Sequence, residues 1–335
     1  MLRIPPPDAV PLGARALRTA LAGDGPLDPV PARLMEAVAR DVLGTPIDAD
    51  ALEPIDTDDL AAAITDPALR HQLVGAAIAL GMTVHPPDPD IAKRIRVLAE
   101  ALDVDEPMLA AFTHSAEGHR AWMVADILRQ SWVHNEVKQE VRERGVRAFV
   151  EQLPRIKGHG REDTETIERF ARLDDLPEGT WGRAVADFYA RHRWPLPGQR
   201  GSVPLLTTHH DWVHVASGYE ATPIGEIQVT AFMSAQMPDD TALSILFFGW
   251  SIYESGMLKV PLSPGAVGTI GSDPDHPAQV ADALRRGREC TTDLLDLDHW
   301  AHAHRPLAEI REEFNVGPKH HPGPDSAPAV PTRVV

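Results

Sequence analysis

Four residues in one short stretch have the types and spacing of a divalent-metal site. In HHDWVHVASGYEATPIGEIQVTAF, His210, Asp211 and His214 form an H-D-x-x-H run, and Glu226 follows after eleven intervening residues. On a helix, His210 and His214 are four apart and Asp211 and His214 are three apart, so all three are predicted to share one stripe. Gly218, Tyr219, Pro223 and Gly225 break the pattern and place Glu226 at the opening of the next helix. Two imidazoles and two carboxylates make a mixed N/O donor set for a divalent cation. An HD doublet on a helix is often only a solvated polar face. Here Val213, Val215 and Ala216 flank the histidines, and Ile227, Val229, Ala231 and Phe232 follow the glutamate. The carboxylate therefore enters an apolar environment, where it needs a partner.

A catalytic metal needs a coordination position free for substrate, whereas a structural one is closed by protein. Four protein ligands would fill a tetrahedral zinc, so His210, Asp211, His214 and Glu226 as a full catalytic set suit five- or six-coordinate iron, manganese or cobalt better. Asp211 could instead orient a histidine from behind. Three functions compete: a metal-dependent enzyme, a non-catalytic isoprenoid- or quinone-binding scaffold with a structural metal, and an HD-type phosphohydrolase. The last needs a separate upstream His and a downstream Asp around the HD pair, which the Glu spacing here fits less well.

The motif, with its flanks, resembles the H-D-x-x-H-x11-E signature of the coenzyme Q biosynthesis protein 4 family. Leu176-Pro177-Glu178-Gly179-Thr180-Trp181-Gly182-Arg183, the helix with Phe188-Tyr189, and the connection from Val215 to Glu226 are similar to that family. So are Ala283–Arg288 and Pro306–Val316, which extends the likeness over roughly residues 165–318. The chain departs from the pattern at Thr207, Thr208 and His209, where members often carry Arg and Tyr. His209 is expected to stand outside the ligand set. The resemblance implies an all-helical domain, a divalent metal (Zn, Fe, Mn or Co) at the four named positions, and a pocket for an apolar aromatic or isoprenoid molecule. It also implies oxidative decarboxylation and hydroxylation of an aromatic ring, partnership with other biosynthetic enzymes and peripheral membrane contact. A homo-oligomer is expected. The fused amino-terminal region and the missing Arg leave room for an aromatic acid other than a coenzyme Q precursor.

Bulk properties narrow the partners. A net charge of −17 repels phosphates and argues against nucleic acid and against a polybasic hold on anionic lipid. Any membrane contact would rest on an apolar patch. One cysteine, Cys290, rules out an internal disulfide and fits a cytoplasmic setting. It reads as a small buried residue. Hydrophobic content of 43% suffices for packed cores in 335 residues. The start of the chain lacks the apolar core of a signal peptide, and no apolar run is long enough to span a bilayer.

The predicted fold is all-α with two helical domains, the second a bundle carrying the metal site. Residues 1–28, rich in Pro and Gly, read as an extended arm, and 29–153 as a helical domain. There Leu34, Ala37, Val38 and Val42 share a stripe ended by Gly44, and Thr57 is a candidate N-cap. Helices are expected near 66–83, 88–103, 106–117, 118–133 and 135–152. Their lengths and apolar spacing resemble the TerB-like fold associated with tellurite resistance. The acidic loop of that fold appears here as His85-Pro86-Pro87-Asp88-Pro89-Asp90 without its Gly, so no metal is assigned to it. His114, His119 and His134 read as non-ligands, and Trp122 and Trp132 as core packing. Residues 154–164 form the linker, 165–318 the metal-binding domain, and 319–335 a disordered tail in which Lys319-His320-His321 is solvated.

Overall fold

A computed structural model describes residues 2–130, 157–260 and 265–323, together with positions 138, 142, 154 and 263. Among the described residues the chain is all-α, with a single isolated bridge between Thr180 and Pro306. The helices are α1 (Ala9–Ala22), α2 (Pro29–Asp41), α3 (Thr57–Ala63), α4 (Pro67–Gly81), α5 (Pro89–Ala101), α6 (Met108–Ala116) and α7 (Arg120–Gln130). After the interval come α8 (Thr164–Ala171), α9 (Trp181–His192), α10 (Leu205–Ser217), α11 (Pro223–Gln236), α12 (Asp239–Tyr253), α13 (His276–Glu289), α14 (His299–His302) and α15 (Leu307–Glu313). Apart from positions 138 and 142, the helix expected over 135–152 lies outside the described residues, as do Trp132 and His134. No described helix is long and apolar enough to cross a membrane.

One local device starts three of these helices. Asp28-Pro29, Asp66-Pro67 and Asp88-Pro89 each place an aspartate at the N-cap and a proline at the first helical position. The carboxylates accept from Val30, Ala68 and Asp90 N–H at 2.9, 2.8 and 2.8 Å. Proline costs nothing there because that N–H has no intrahelical partner, and the cap satisfies one that would otherwise go unpaired.

Three sequence expectations fail, each for a visible reason. The supposed arm is helical from Ala9, because Val10, Ala14, Ala16, Ala20 and Leu21 form an apolar face that is buried. Trp122 is 64% exposed rather than in the core. Lys319–His321 is held in place: Lys319 Nζ donates to the Gly218 carbonyl, and the His320 N–H donates to Asp282 at 2.9 Å.

The centre of the molecule is α11, in which every residue from Ile224 to Gln236 is buried. It packs against α12 and α13, while α2 covers α13 and α4 covers α12. One apolar core therefore runs from Leu73, Val74 and Ile78 through Leu246 and Trp250 to Val280. The fully buried Glu254 at the end of α12 ties the same seam. Its carboxylate meets His85 Nε2 at 3.0 Å and accepts the Ile270 N–H at 2.8 Å.

The approach of α13 to α11 requires a residue without a side chain. A Cβ on Gly287 would stand 2.1 Å from the Phe232 carbonyl oxygen, which is backbone and cannot rotate aside. Gly287→Ala is therefore expected to destabilise the fold by about 1–3 kcal/mol through overpacking, read as a lower urea midpoint. An unchanged midpoint would mean that the two helices separate freely.

Candidate metal centre

The site is built on the facing ends of α10 and α11. Helix α10 closes at Gly218, whose φ of +75° is the left-handed conformation that suits glycine at a helix end. The chain turns through Tyr219 and Glu220 and restarts at Thr222, whose hydroxyl accepts from the Gly225 N–H at 3.2 Å. Gly225 is needed for closure, since a Cβ there would fall 1.8 Å from the Glu220 carbonyl oxygen. The connection returns Glu226, in the first turn of α11, to the histidine stripe of α10, and a carboxylate is favoured at a helix N-terminus.

Three of the four expected residues meet. His210 Nε2 and His214 Nε2 lie 2.9 Å apart, and Glu226 places one oxygen 3.1 Å from His210 Nε2 and the other 3.5 Å from His214 Nε2. Their ligand atoms form one group able to hold a metal ion. The other ring nitrogens are engaged. His214 Nδ1 donates to the Tyr219 carbonyl at 3.0 Å, and His210 Nδ1 donates to Asp211 Oδ1 at 3.2 Å. Each outer bond fixes the tautomer that leaves Nε2 with a free lone pair aimed at the shared point. This donor set fits a divalent cation.

Asp211 is not the fourth member of the cluster. Adjacent residues on a helix diverge by about 100°, and Asp211 turns toward α9, where it accepts from the buried Tyr189 hydroxyl as well as from His210. Tyr189 itself is pushed well above the ordinary phenol range by burial and by the Asp211 charge. A buried chain Tyr189–Asp211–His210 thus backs the open cluster. Phe188, the neighbour of Tyr189, stacks on His214 at a centroid distance of 5.7 Å.

His209 faces the other way, as expected of a residue outside the ligand set. Its ring meets His299 at 5.0 Å within an aromatic cluster that includes Trp181 and Trp212. Burial lowers His299 to about 3, with the nearby His209 contributing, so His299 is a neutral core residue bonded to the Leu294 carbonyl at 2.8 Å.

The sequence did not reveal what holds the end of α10. Its last four carbonyls are each taken by a cation from later in the chain. Arg311 donates to Val215 and Ala216 at 3.0 and 2.8 Å, Arg286 donates to Ser217 at 2.9 Å, and Lys319 donates to Gly218. Lys319 also sits 4.7 Å over the Tyr219 ring, and burial lowers it to about 8. Arg286 and Arg311 lie in the two segments that resemble the family's ending, the only sequence signal for their role.

Ala242, Leu243, Leu246 and Trp250 line a cavity, but it lies toward the amino-terminal helices, and none of Ile227–Met233 lines it.

Opposed shifts give the metal-free cluster a defined pH profile. Burial alone would raise Glu226, but the rings of His214 and His210 outweigh it and hold the carboxyl below its ordinary 4.5. Burial alone would lower His210, but Glu226 and Asp211 outweigh it and push the ring from 6.5 up to about 10. The Glu226 contribution to stability is therefore present above pH 4.5 and lost as pH falls. The His210 contribution is complete below pH 6.5 and lost as pH rises toward about 10. The chelator-treated protein should melt at progressively lower temperature over that alkaline window, and Glu226→Gln should flatten the decline. Identical slopes in the two proteins would mean that the pair is not coupled.

No family model and no curated protein matches the chain. Among solved structures it is similar to a protein from Nostoc punctiforme PCC 73102 called a "putative ubiquinone biosynthesis protein". The two are 21% identical, the match covers 75% of this chain and 97% of the other, and the TM-score is 0.31. At that score the likeness carries no weight for the site.

Proposed function

We propose that this chain is a metal-dependent enzyme that holds a divalent cation (iron, manganese, cobalt or zinc) on His210, His214 and Glu226. The observation that carries the reading is the convergence of two imidazole nitrogens, 2.9 Å apart, on both oxygens of Glu226. In the metal-free protein a proton on His210 serves that point, and a divalent cation would replace it. Glu226 supplies the negative charge, and Asp211 and the Tyr219 carbonyl supply the outer acceptors that keep both rings in the ligating tautomer.

A two-histidine, one-carboxylate set leaves coordination positions for substrate and oxidant, and when bound the metal would supply Lewis acidity and, for iron, access to dioxygen chemistry. With Asp211 behind His210 instead of on the metal, the site is more open than a four-ligand set would be. His214 is fully enclosed while His210 keeps 24% of its side chain exposed, so substrate enters from the His210 side. The H-D-x-x-H-x11-E motif supports a prenylated or otherwise apolar aromatic acid as substrate. The reaction it supports breaks the bond between the ring and its carboxyl, which leaves as carbon dioxide, and forms a ring hydroxyl with oxygen from water, while dioxygen takes up the two electrons and is released as hydrogen peroxide.

Elemental analysis of the purified protein tests the centre directly. Near-stoichiometric metal is expected in the wild type and in His209→Ala, and none in His210→Ala/His214→Ala. Equal loss in His209→Ala would overturn the ligand assignment, and metal held without turnover of any aromatic acid would favour the scaffold function. Tyr189→Phe should weaken metal binding about tenfold in competition with a chelating dye, because it loosens the acceptor behind His210. Unchanged affinity would remove Tyr189 from the metal's support.

A further inference from the structure

Where α1, α2 and α4 meet α11, α12 and α13, a half-open pocket of ≈ 270 Å³ lies between them. Leu17, Met35 and Leu73 wall it on one side and Leu243, Leu246 and Leu284 on the other. The segment before α1 runs across it, with Leu2 and Pro5 as further wall residues. That segment is tied at both edges. The Leu2 N–H donates to the Ala235 carbonyl at 3.2 Å, and the Arg3 backbone exchanges two bonds with the Gln72 side chain, at 2.8 and 3.0 Å. None of His210, His214 and Glu226 lines the cavity. Ala235 lies nine residues beyond Glu226 on α11, about 13 Å away at the helical rise.

The pocket lining is almost wholly apolar, and a concave apolar surface with a few polar groups is the ordinary form of a small-molecule site. Trp250 lines the cavity and is 2% exposed, yet its indole N–H has no partner among the described residues. A buried donor without an acceptor is a rare feature that a bound oxygen would resolve. Of the lining side chains only His71 titrates, and it is paired with Glu106 at 3.0 Å. A carboxylate or phosphate placed here would be buried without a counter-charge. For scale, an apolar cavity of about 150 Å³ accommodates benzene, so this one suits about ten heavy atoms.

We propose that this cavity is a second binding site, for a neutral aliphatic molecule of about ten heavy atoms whose single oxygen accepts from Trp250. The amino-terminal segment borders it, held to Gln72 and Ala235. The site stands on its own walls and does not rest on the metal-dependent reading.

Calorimetric titration of the full chain with 2-decanone, against decanoate at neutral pH, tests the site. The ketone is expected to bind at least ~10-fold more tightly than the carboxylate, because the latter leaves a charge unpaired. Ala76→Phe fills the cavity and should weaken the ketone ~10-fold or more; Ala39→Leu replaces it if that variant does not fold. Trp250→Phe removes the N–H while keeping an aromatic wall and should cost at least about fivefold, the worth of one hydrogen bond. His210→Ala/His214→Ala should bind as the wild type does. No binding, equal affinity for decanoate, or indifference to the filled cavity would overturn the proposal. Loss of binding in the double histidine variant would overturn it too, because the ligand would then sit at the metal centre.

Discussion

The structure depends on how the carboxyl end of α10 is held. A helix leaves its last four carbonyls unpaired, and their dipoles sum to a partial negative charge. Here Val215, Ala216, Ser217 and Gly218 each accept from Arg311, Arg286 or Lys319. One cation near a helix end contributes about 0.3–1 kcal/mol in exposed settings and up to ~2 kcal/mol when partly buried, so three together form a strong anchor. They also fix a direction. With the end of α10 pinned, the left-handed turn at Gly218 can place the Tyr219 carbonyl in only one position, within reach of His214 Nδ1. The ligating tautomer of a fully buried histidine is thereby set from residues about seventy to a hundred positions later in the chain.

The same anchor concentrates positive charge in an acidic protein. Arg286 is 3% exposed and lies 5.1 Å from the Tyr219 ring, while burial lowers Arg311, with Arg286 adding to the effect. Such crowding is tolerable because the carbonyls it serves are themselves a negative pole, and because Asp282 takes Arg285 and the His320 N–H beside it. The metal centre shows the opposite polarity. Its histidines face Glu226 and Asp211, so the two ends of the Gly218–Glu226 connection sit in fields of opposite sign. The His214 and His210 rings hold Glu226 ionised where burial alone would protonate it.

The readable parts of the sequence were those governed by short-range rules. The four-residue spacing of His210 and His214 and the Gly218–Gly225 break that places Glu226 at the opening of the next helix act within a few helical turns, and the structure shows each. Misreadings arose where composition stood in for packing. Proline and glycine in residues 1–28 suggested an arm, yet Val10, Ala14 and Leu21 recur at helical spacing, and the amino-terminal core gives them a surface to cover. Trp122 has a side chain typical of cores, but its place on α7 exposes it. Asp211 was three residues from His214 and so on a plausible stripe. Its direction was decided by Tyr189 on another helix, and no spacing rule carries that information. Lys319 was invisible for the same reason: a basic residue in a proline-rich end looks solvated until the carbonyl it caps is known.

Helix α11 makes the metal centre a property of the whole core. Glu226 opens it, Ser234 and Ala235 border the cavity near its other end, and every residue between is buried. Gly249 of α12 and Gly287 of α13 press against it so closely that a Cβ would come within 2.4 Å of Thr230 and 2.1 Å of Phe232. A helix gripped at its backbone by Gly287 and at the Thr230 side chain by Gly249 does not adjust residue by residue, since close-packed interiors transmit displacement instead of absorbing it. The separation between Glu226 and the α10 histidines is consequently set by the packing of α11 on α12 and α13, and through them by α2 and α4 of the amino-terminal half. A carboxylate on a mobile loop could follow a metal ion wherever it sat; Glu226 cannot, and the ion must come to a point defined by the interlocked helices of both halves.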